Sequence, residues 1–248
     1  MSIRRLAVLA AVLGILSTLL PSASFGAPNP VLPDLGMARL RKFTIEQTPS
    51  GQKRLRFSTK LINIGAGPFQ AFGHDPQPNG EKLVDQQVRN TDGSWTSLPT
   101  DYRMYFAGDG HNHWHLKDLE GYVLQNTAQT TTRRSEKHGF CFADRGDYKL
   151  NLPNAPQNPV YMGCGNLPDV TITMGLSVGW SDTYGFKIVD QFIDITGLPN
   201  GTYTVTATVD TLGMFVERCE NNNSTTATVQ ISGTSVTILD DGKNSKAC

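Results

Sequence analysis

Hydrophobic and polar positions alternate most cleanly near the C-terminus. Tyr203, Val205, Ala207 and Val209 interleave with Thr202, Thr204, Thr206 and Thr208. Such a period of two marks a strand with one face buried and one wet. Pro199-Asn200-Gly201 supplies the turn before it. The same period predicts a strand over 53–63, where Leu55, Phe57, Thr59, Leu61 and Asn63 share a face opposite Arg54, Arg56 and Lys60. A partner strand over 37–47 is separated from it by a turn at Gly51. Shorter strands are expected at Tyr102–Phe106, Gly121–Gln125, 187–195, 213–218, 224–231 and 235–239. Residues 70–100 carry several Gly, Pro and Asn residues and read as a long excursion with one strand near Leu83–Val88, and His74 there reads as a loop histidine. Residues 141–165 read as a second long loop, rich in Pro and Asn. No stretch combines helical periodicity with caps, and no repeat is visible. The expected fold is therefore all-β, an antiparallel β-sandwich with long loops and little helix.

Composition changes that picture mainly at the start of the chain. Arg4 and Arg5 precede an apolar run from Leu6 to Leu20, followed by small residues around Ser22–Ala27. This is the order of a secretory signal peptide over 1–26, which leaves a single domain over 27–248 and implies a secreted or extracytoplasmic protein. Removing it subtracts two of the 22 basic residues and none of the 22 acidic ones, so the remainder carries about 20 − 22 = −2. That balance points away from nucleic acid, and from a membrane once the signal is cleaved. In an oxidising compartment the four cysteines imply two disulfides with three possible connectivities. The favoured pairs are Cys141–Cys164, closing a loop, and Cys219–Cys248, tying down the C-terminus.

Candidate chemistry concentrates in Gly-Asp-Gly-His-Asn-His-Trp-His-Leu at 108–116. As a strand, this stretch would project His111, His113 and His115 from one face and leave Trp114 to anchor the other in the core. Three converging imidazoles suit a borderline metal, copper or zinc first.

Three ordered motifs give this stretch a context. The histidines are followed by Lys137-His138-Gly139-Phe140-Cys141, then by Gly-Leu-Ser-Val-Gly-Trp-Ser-Asp-Thr-Tyr-Gly at 175–185 and Asp-Gln-Phe-Ile-Asp-Ile-Thr at 190–196. The combination resembles the catalytic domain of the lysyl oxidase family over roughly residues 33–230, with 65–100 matching poorly. The resemblance implies a copper amine oxidase whose cofactor, lysine tyrosylquinone, is made from the chain's own Lys137 and Tyr184. His111, His113 and His115 would hold the copper. Primary amines, including lysine in peptides or proteins, would be oxidised by dioxygen to aldehydes with release of ammonia and hydrogen peroxide. Asp182 is the candidate proton acceptor, with Asp190 and Asp194 as rivals. Taken singly, Lys137 reads as a solvated lysine in the basic run Arg133–His138 and Tyr184 as a turn tyrosine; the joint match reverses both readings.

The resemblance has departures. Family members carry additional cysteines where this chain has Asp109–Gly110 and Trp180, and the family's histidine before the lysine is here His138, after it. Some relatives bind calcium through segments that correspond here to Asp34, Glu217, Asn222 and Asn223, with Cys219 replacing a carboxylate. Asn200-Gly201-Thr202 and Asn222-Asn223-Ser224 also read as glycosylation sequons. Two rivals stand beside the oxidase. One is a non-catalytic secreted copper-binding β-sandwich, an adhesion or metal-sequestering protein. The other is a zinc hydrolase, disfavoured because no glutamate sits at a useful spacing beside the histidines.

Overall fold

The computed structural model describes residues 29–108 and 110–248, so the expected signal segment over 1–26 lies outside the described residues. Among these, every regular element is a β-strand and every strand pairing is antiparallel. The all-β sandwich expected from the alternating pattern is the fold observed.

The pattern explains the best-ordered strands directly. In Gly201–Val209 the residues Tyr203, Val205, Ala207 and Val209 are buried and the threonines between them half-buried. This strand lies between Glu120–Asn126 and Ser224–Ser232 at the centre of a five-stranded sheet. Lys53–Asn63 is the spine of a second sheet and pairs with Leu35–Met37, Arg41–Gln47, Trp180–Tyr184 and Phe192–Asp194. Its inward Leu55, Phe57 and Leu61 join Tyr122, Leu124, Val205 and Val229 of the five-stranded sheet in one core. Phe57 meets the edge of Tyr122 with ring centroids 5.3 Å apart. Each fully buried large apolar side chain of this kind contributes roughly 1.5–3 kcal/mol.

Several expectations need correction. Residues 70–100 hold the strand expected near Leu83–Val88, within Lys82–Asn90, but are otherwise no excursion: they also form Phe69–Pro76 and the first half of Trp95–Phe106, paired as a meander in the remaining sheet. Polar residues at inward positions hid the period. Lys82, Gln86 and Asn90 are buried on the same face as Val84 and Val88. Each is satisfied there: Lys82 donates to the Val170 carbonyl at 2.7 Å, and Gln86 exchanges hydrogen bonds with the Val216 backbone at 2.7 and 2.9 Å. His74 lies on a strand, between Asp75 and Asp85 at 3.1 Å from each.

The expected strand over 187–195 shrinks to Phe192–Asp194, and 213–218 forms none. There the Asp210 carboxylate accepts the backbone N–H groups of Met214 and Phe215, both at 3.1 Å, and holds a turn instead. The strand over 37–47 is interrupted after Met37, and its register slips between Arg41 and Thr44 around Lys42, whose φ is +55°. Two of the unexpected strands bear on the site. Ile172–Leu176 pairs with Phe69–Pro76, whereas Trp180–Tyr184 pairs with Lys53–Asn63, so the segment 175–185 crosses from one sheet to another. Gly179 makes the crossing at φ +77°, where a Cβ would lie 2.4 Å from the Lys149 carbonyl oxygen. Both expected disulfides, Cys141–Cys164 and Cys219–Cys248, are formed.

Candidate metal centre and the adjoining lysine–tyrosine pair

The three histidines do not share one strand. The chain leaves Trp95–Phe106, turns back through Gly110 and Asn112 at φ +98° and +48°, and re-enters the sheet as Trp114–Lys117. Only His115 lies on that strand, paired with Tyr105; His113 directly precedes it and His111 belongs to the turn. Glycine and asparagine tolerate the left-handed backbone that makes this reversal. Trp114 is buried on the other side of the strand, as the alternation requires, with the Lys82 ammonium 4.4 Å from its ring centre.

The imidazoles converge all the same. One ring nitrogen from each histidine falls within a 4.8 Å group. The Nε2 atoms of His113 and His115 are 3.0 Å apart. Two nitrogens each ~2.0 Å from a shared metal lie roughly 2.9 Å apart at right angles and about 3.3 Å apart at the tetrahedral angle. The donor set and its spacing therefore fit a copper- or zinc-sized ion. Close packing fixes His115: a Cβ on Gly139 would stand 2.4 Å from its Nδ1 and 2.1 Å from the Tyr105 hydroxyl.

Lys137 precedes the short strand Gly139–Phe140, which pairs with Trp114–Lys117 and so brings the lysine alongside the histidines. Tyr184 ends Trp180–Tyr184 on the other sheet, opposite Thr59. Across that gap the Lys137 Nζ lies 5.4 Å from the centre of the Tyr184 ring. Both residues are buried. Phe140 packs against both, edge-on to Tyr184 at 5.2 Å and beneath the Lys137 Nζ at 4.9 Å. The Tyr184 hydroxyl donates to the Cys141 carbonyl at 2.9 Å, so the Cys141–Cys164 disulfide braces the ring's acceptor. Burial, then the charge of Asp182, pushes the Tyr184 phenol well above its ordinary range. The three histidines, Lys137, Tyr184 and Asp182 line one cleft of about 330 Å³.

Of the three aspartates weighed as proton acceptor, only Asp182 reaches this cleft. It is buried and accepts the N–H of Ala143 at 3.0 Å and of Thr183 at 2.7 Å. Burial raises its pKa to about 6, with those two N–H groups opposing the shift. Asp190 is half-buried outside the cleft, and Asp194 is engaged by Gln52 and Thr196. His138 points elsewhere, with its Nδ1 2.6 Å from Asp118 on the surface.

Sequence reading missed Glu120 and Tyr122. Glu120 is buried and accepts the Tyr122 hydroxyl at 2.8 Å and the Thr59 hydroxyl at 3.3 Å. Burial pushes its carboxyl up to about 8, while Tyr122 and the charge of Lys137 pull it down. The available signal was its place on the inward face of Glu120–Asn126, in phase with Tyr122 and Leu124.

The residues of the second expected site meet in two hydrogen-bonded pairs. Asn222 donates to Asp34 at 2.7 Å, Asn223 to Glu217 at 3.0 Å, and the Leu35 N–H to the other Glu217 oxygen. Asp34 Oδ2, Asn222 Oδ1 and Asn223 Oδ1 are buried without a hydrogen-bond partner. Buried oxygens left unsatisfied together are what a hard cation would coordinate. Asp210 and Glu220 bring further carboxylate oxygens within 4.8 Å of Glu217.

Residues 82–240 match the family model described as lysyl oxidase. No curated protein matches the chain.

Proposed function

The chain belongs to the lysyl oxidase family of copper amine oxidases, and on that premise we propose that it oxidises primary amines with a quinone built from its own Lys137 and Tyr184. The observation that carries this reading is the buried approach of the Lys137 Nζ to 5.4 Å from the Tyr184 ring centre, beside three converging imidazoles. His111, His113 and His115 would hold the copper. The mature quinone would supply an electron-accepting carbonyl that the twenty side chains lack.

The remaining work falls to groups of the chain itself. Lys137 is buried with its Nζ over the Phe140 ring, and its neutral form is the one able to bond to an oxidised tyrosine ring. The Cys141 carbonyl fixes the Tyr184 oxygen, and with it the orientation of the ring. Asp182, ionised above a pH of about 6, is positioned to take the α-proton of a bound amine. Products would be an aldehyde, ammonia and hydrogen peroxide, with dioxygen as oxidant; lysine in peptides or proteins is the substrate class in view. Disulfides fit an extracellular protein. A cleaved signal over 1–26 and a single mature domain over 27–248 belong to the same proposal. So does a structural calcium held by Asp34, Glu217, Asn222 and Asn223, supported by the unsatisfied oxygens of Asp34, Asn222 and Asn223.

The test removes one imidazole. A His113→Ala protein should lose copper affinity by more than about 100-fold, beyond the loss seen when only outer-sphere partners of a metal are removed. It should also develop no quinone absorbance in air while keeping its β-sheet circular dichroism. Normal quinone formation in that variant would overturn the proposed metal site.

A further inference from the structure

A second cleft, about 580 Å³, adjoins the first, and Thr183 lines both. Arg39, Arg41, Lys42, Lys60 and Lys187 project into its lining, and no carboxylate does. Three separate parts of the chain supply these cations: the interrupted segment after Met37, the strand Lys53–Asn63, and the loop that follows Tyr184. Arg39 meets Asp241 at 3.2 Å. Among the described residues the other four enter no ion pair. The concentration is local, because the whole chain has equal numbers of basic and acidic residues. Between the charges lie apolar Ala38, Tyr148 and Phe186 together with Ser58, Thr59, Thr183 and Asn244.

Such a surface is an obstacle for an ordinary amine. Primary amines are cations near neutral pH, so charges of the same sign beside the entrance lower their local concentration. A substrate with anionic groups next to its amine reverses the effect. We propose that this cleft receives acidic residues flanking the reacting lysine, which makes the substrate class a peptidyl lysine in an acidic segment. The inference rests on the amine-oxidase reading of the neighbouring site. Chain geometry allows it: an extended peptide advances at most ~3.5 Å per residue, so residues two to four positions from the lysine run along an adjoining cleft. Apolar patches between the cations suit the methylene stems of glutamate, while the ammonium and guanidinium groups meet its carboxylates.

Two measurements on the full mature protein separate this inference from the reading beneath it. The first is fluorescence anisotropy with a labelled peptide, Glu-Glu-Gly-norleucine-Gly-Glu-Glu, which has no reacting amine and needs no cofactor. It should bind at least about tenfold more tightly than the same peptide with glutamine for glutamate, and the difference should shrink in high salt. Arg41→Glu with Lys187→Glu, both on exposed positions, should abolish the preference. Arg134→Glu, an exposed charge reversal outside the cleft, should leave it intact. The second is peroxide release from lysine peptides with Glu flanks or Lys flanks, where kcat/KM should favour the acidic flanks about tenfold at low salt. Equal binding of the acidic and neutral peptides, or a preference that survives the double reversal, would overturn the inference. Selective binding without turnover of any peptide would overturn the oxidase reading and its substrate, while upholding an acidic-peptide site.

Discussion

At Asp182 two opposed influences act on one carboxyl group. Burial favours the protonated form, and the N–H groups of Ala143 and Thr183 favour the ionised one; burial wins, and the pKa stands at about 6. A carboxyl raised in this way is still ionised at neutral pH, yet is a stronger base than a solvated aspartate. The sign of the pH dependence follows. Activity should fall about tenfold per pH unit below about 6, as the base takes up a proton, and level off above it. Asp182→Asn should lower kcat by ~10²–10⁴-fold and remove that acidic limb. Peroxide release measured across pH checks both, and a variant with normal turnover would eliminate Asp182 as the base. Tyr184 shows the same logic from the other side, since burial disfavours its phenolate and pushes the phenol well above its ordinary range.

At the scale of elements, the loop carrying Glu217, Asn222 and Asn223 lies against Asp34, at the start of Leu35–Met37, and a cation there would tie the two together. Added calcium at ~100 times its dissociation constant should stabilise the fold by about 2.7 kcal/mol. In a chain of this size that raises Tm by roughly 5–10 °C. Glu217→Gln should remove most of the increment. Thermal denaturation with and without calcium checks this, and an unchanged Tm would exclude the site. How legible these elements were depended on which residues faced inward. Tyr203, Val205, Ala207 and Val209 declared their strand because every inward position is apolar. Lys82–Asn90 declared itself only in its middle, near Leu83–Val88, because a lysine, a glutamine and an asparagine occupy inward positions, Lys82 and Gln86 finding partners on distant segments and Asn90 on the following turn and strand. The histidine segment was legible as chemistry and misread as geometry: its spacing suggested one strand, whereas Gly110 and Asn112 bend the chain so that a turn and a strand share the cluster. Glu120 stayed hidden because a lone glutamate in a short strand carries no motif, and only tertiary packing sets it beneath the lysine–tyrosine pair.

The whole molecule is needed to make that pair. Lys137 is carried by the sheet containing His115, and Tyr184 by the sheet built on Lys53–Asn63. Neither sheet alone brings the amine to the ring, so the shared core is a condition for the cofactor as well as for stability. The two disulfides close separations of 23 and 29 residues. Each stabilises by roughly 3 kcal/mol in the loop-entropy account. Cys141–Cys164 lies directly against the pair, so this one crosslink braces the centre where the family has more cysteines. Three histidines within reach of one ion, a buried lysine over a buried tyrosine, and an aspartate poised to accept a proton together form the proposed oxidase site. Its central claim is that residues 137 and 184 become one cofactor. Peptide mass mapping of copper-loaded protein held in air tests this most directly. A single species joining the peptides that contain Lys137 and Tyr184 is expected, heavier than their sum by one oxygen and lighter by four hydrogens. Recovery of both residues only in separate, unmodified peptides would contradict it.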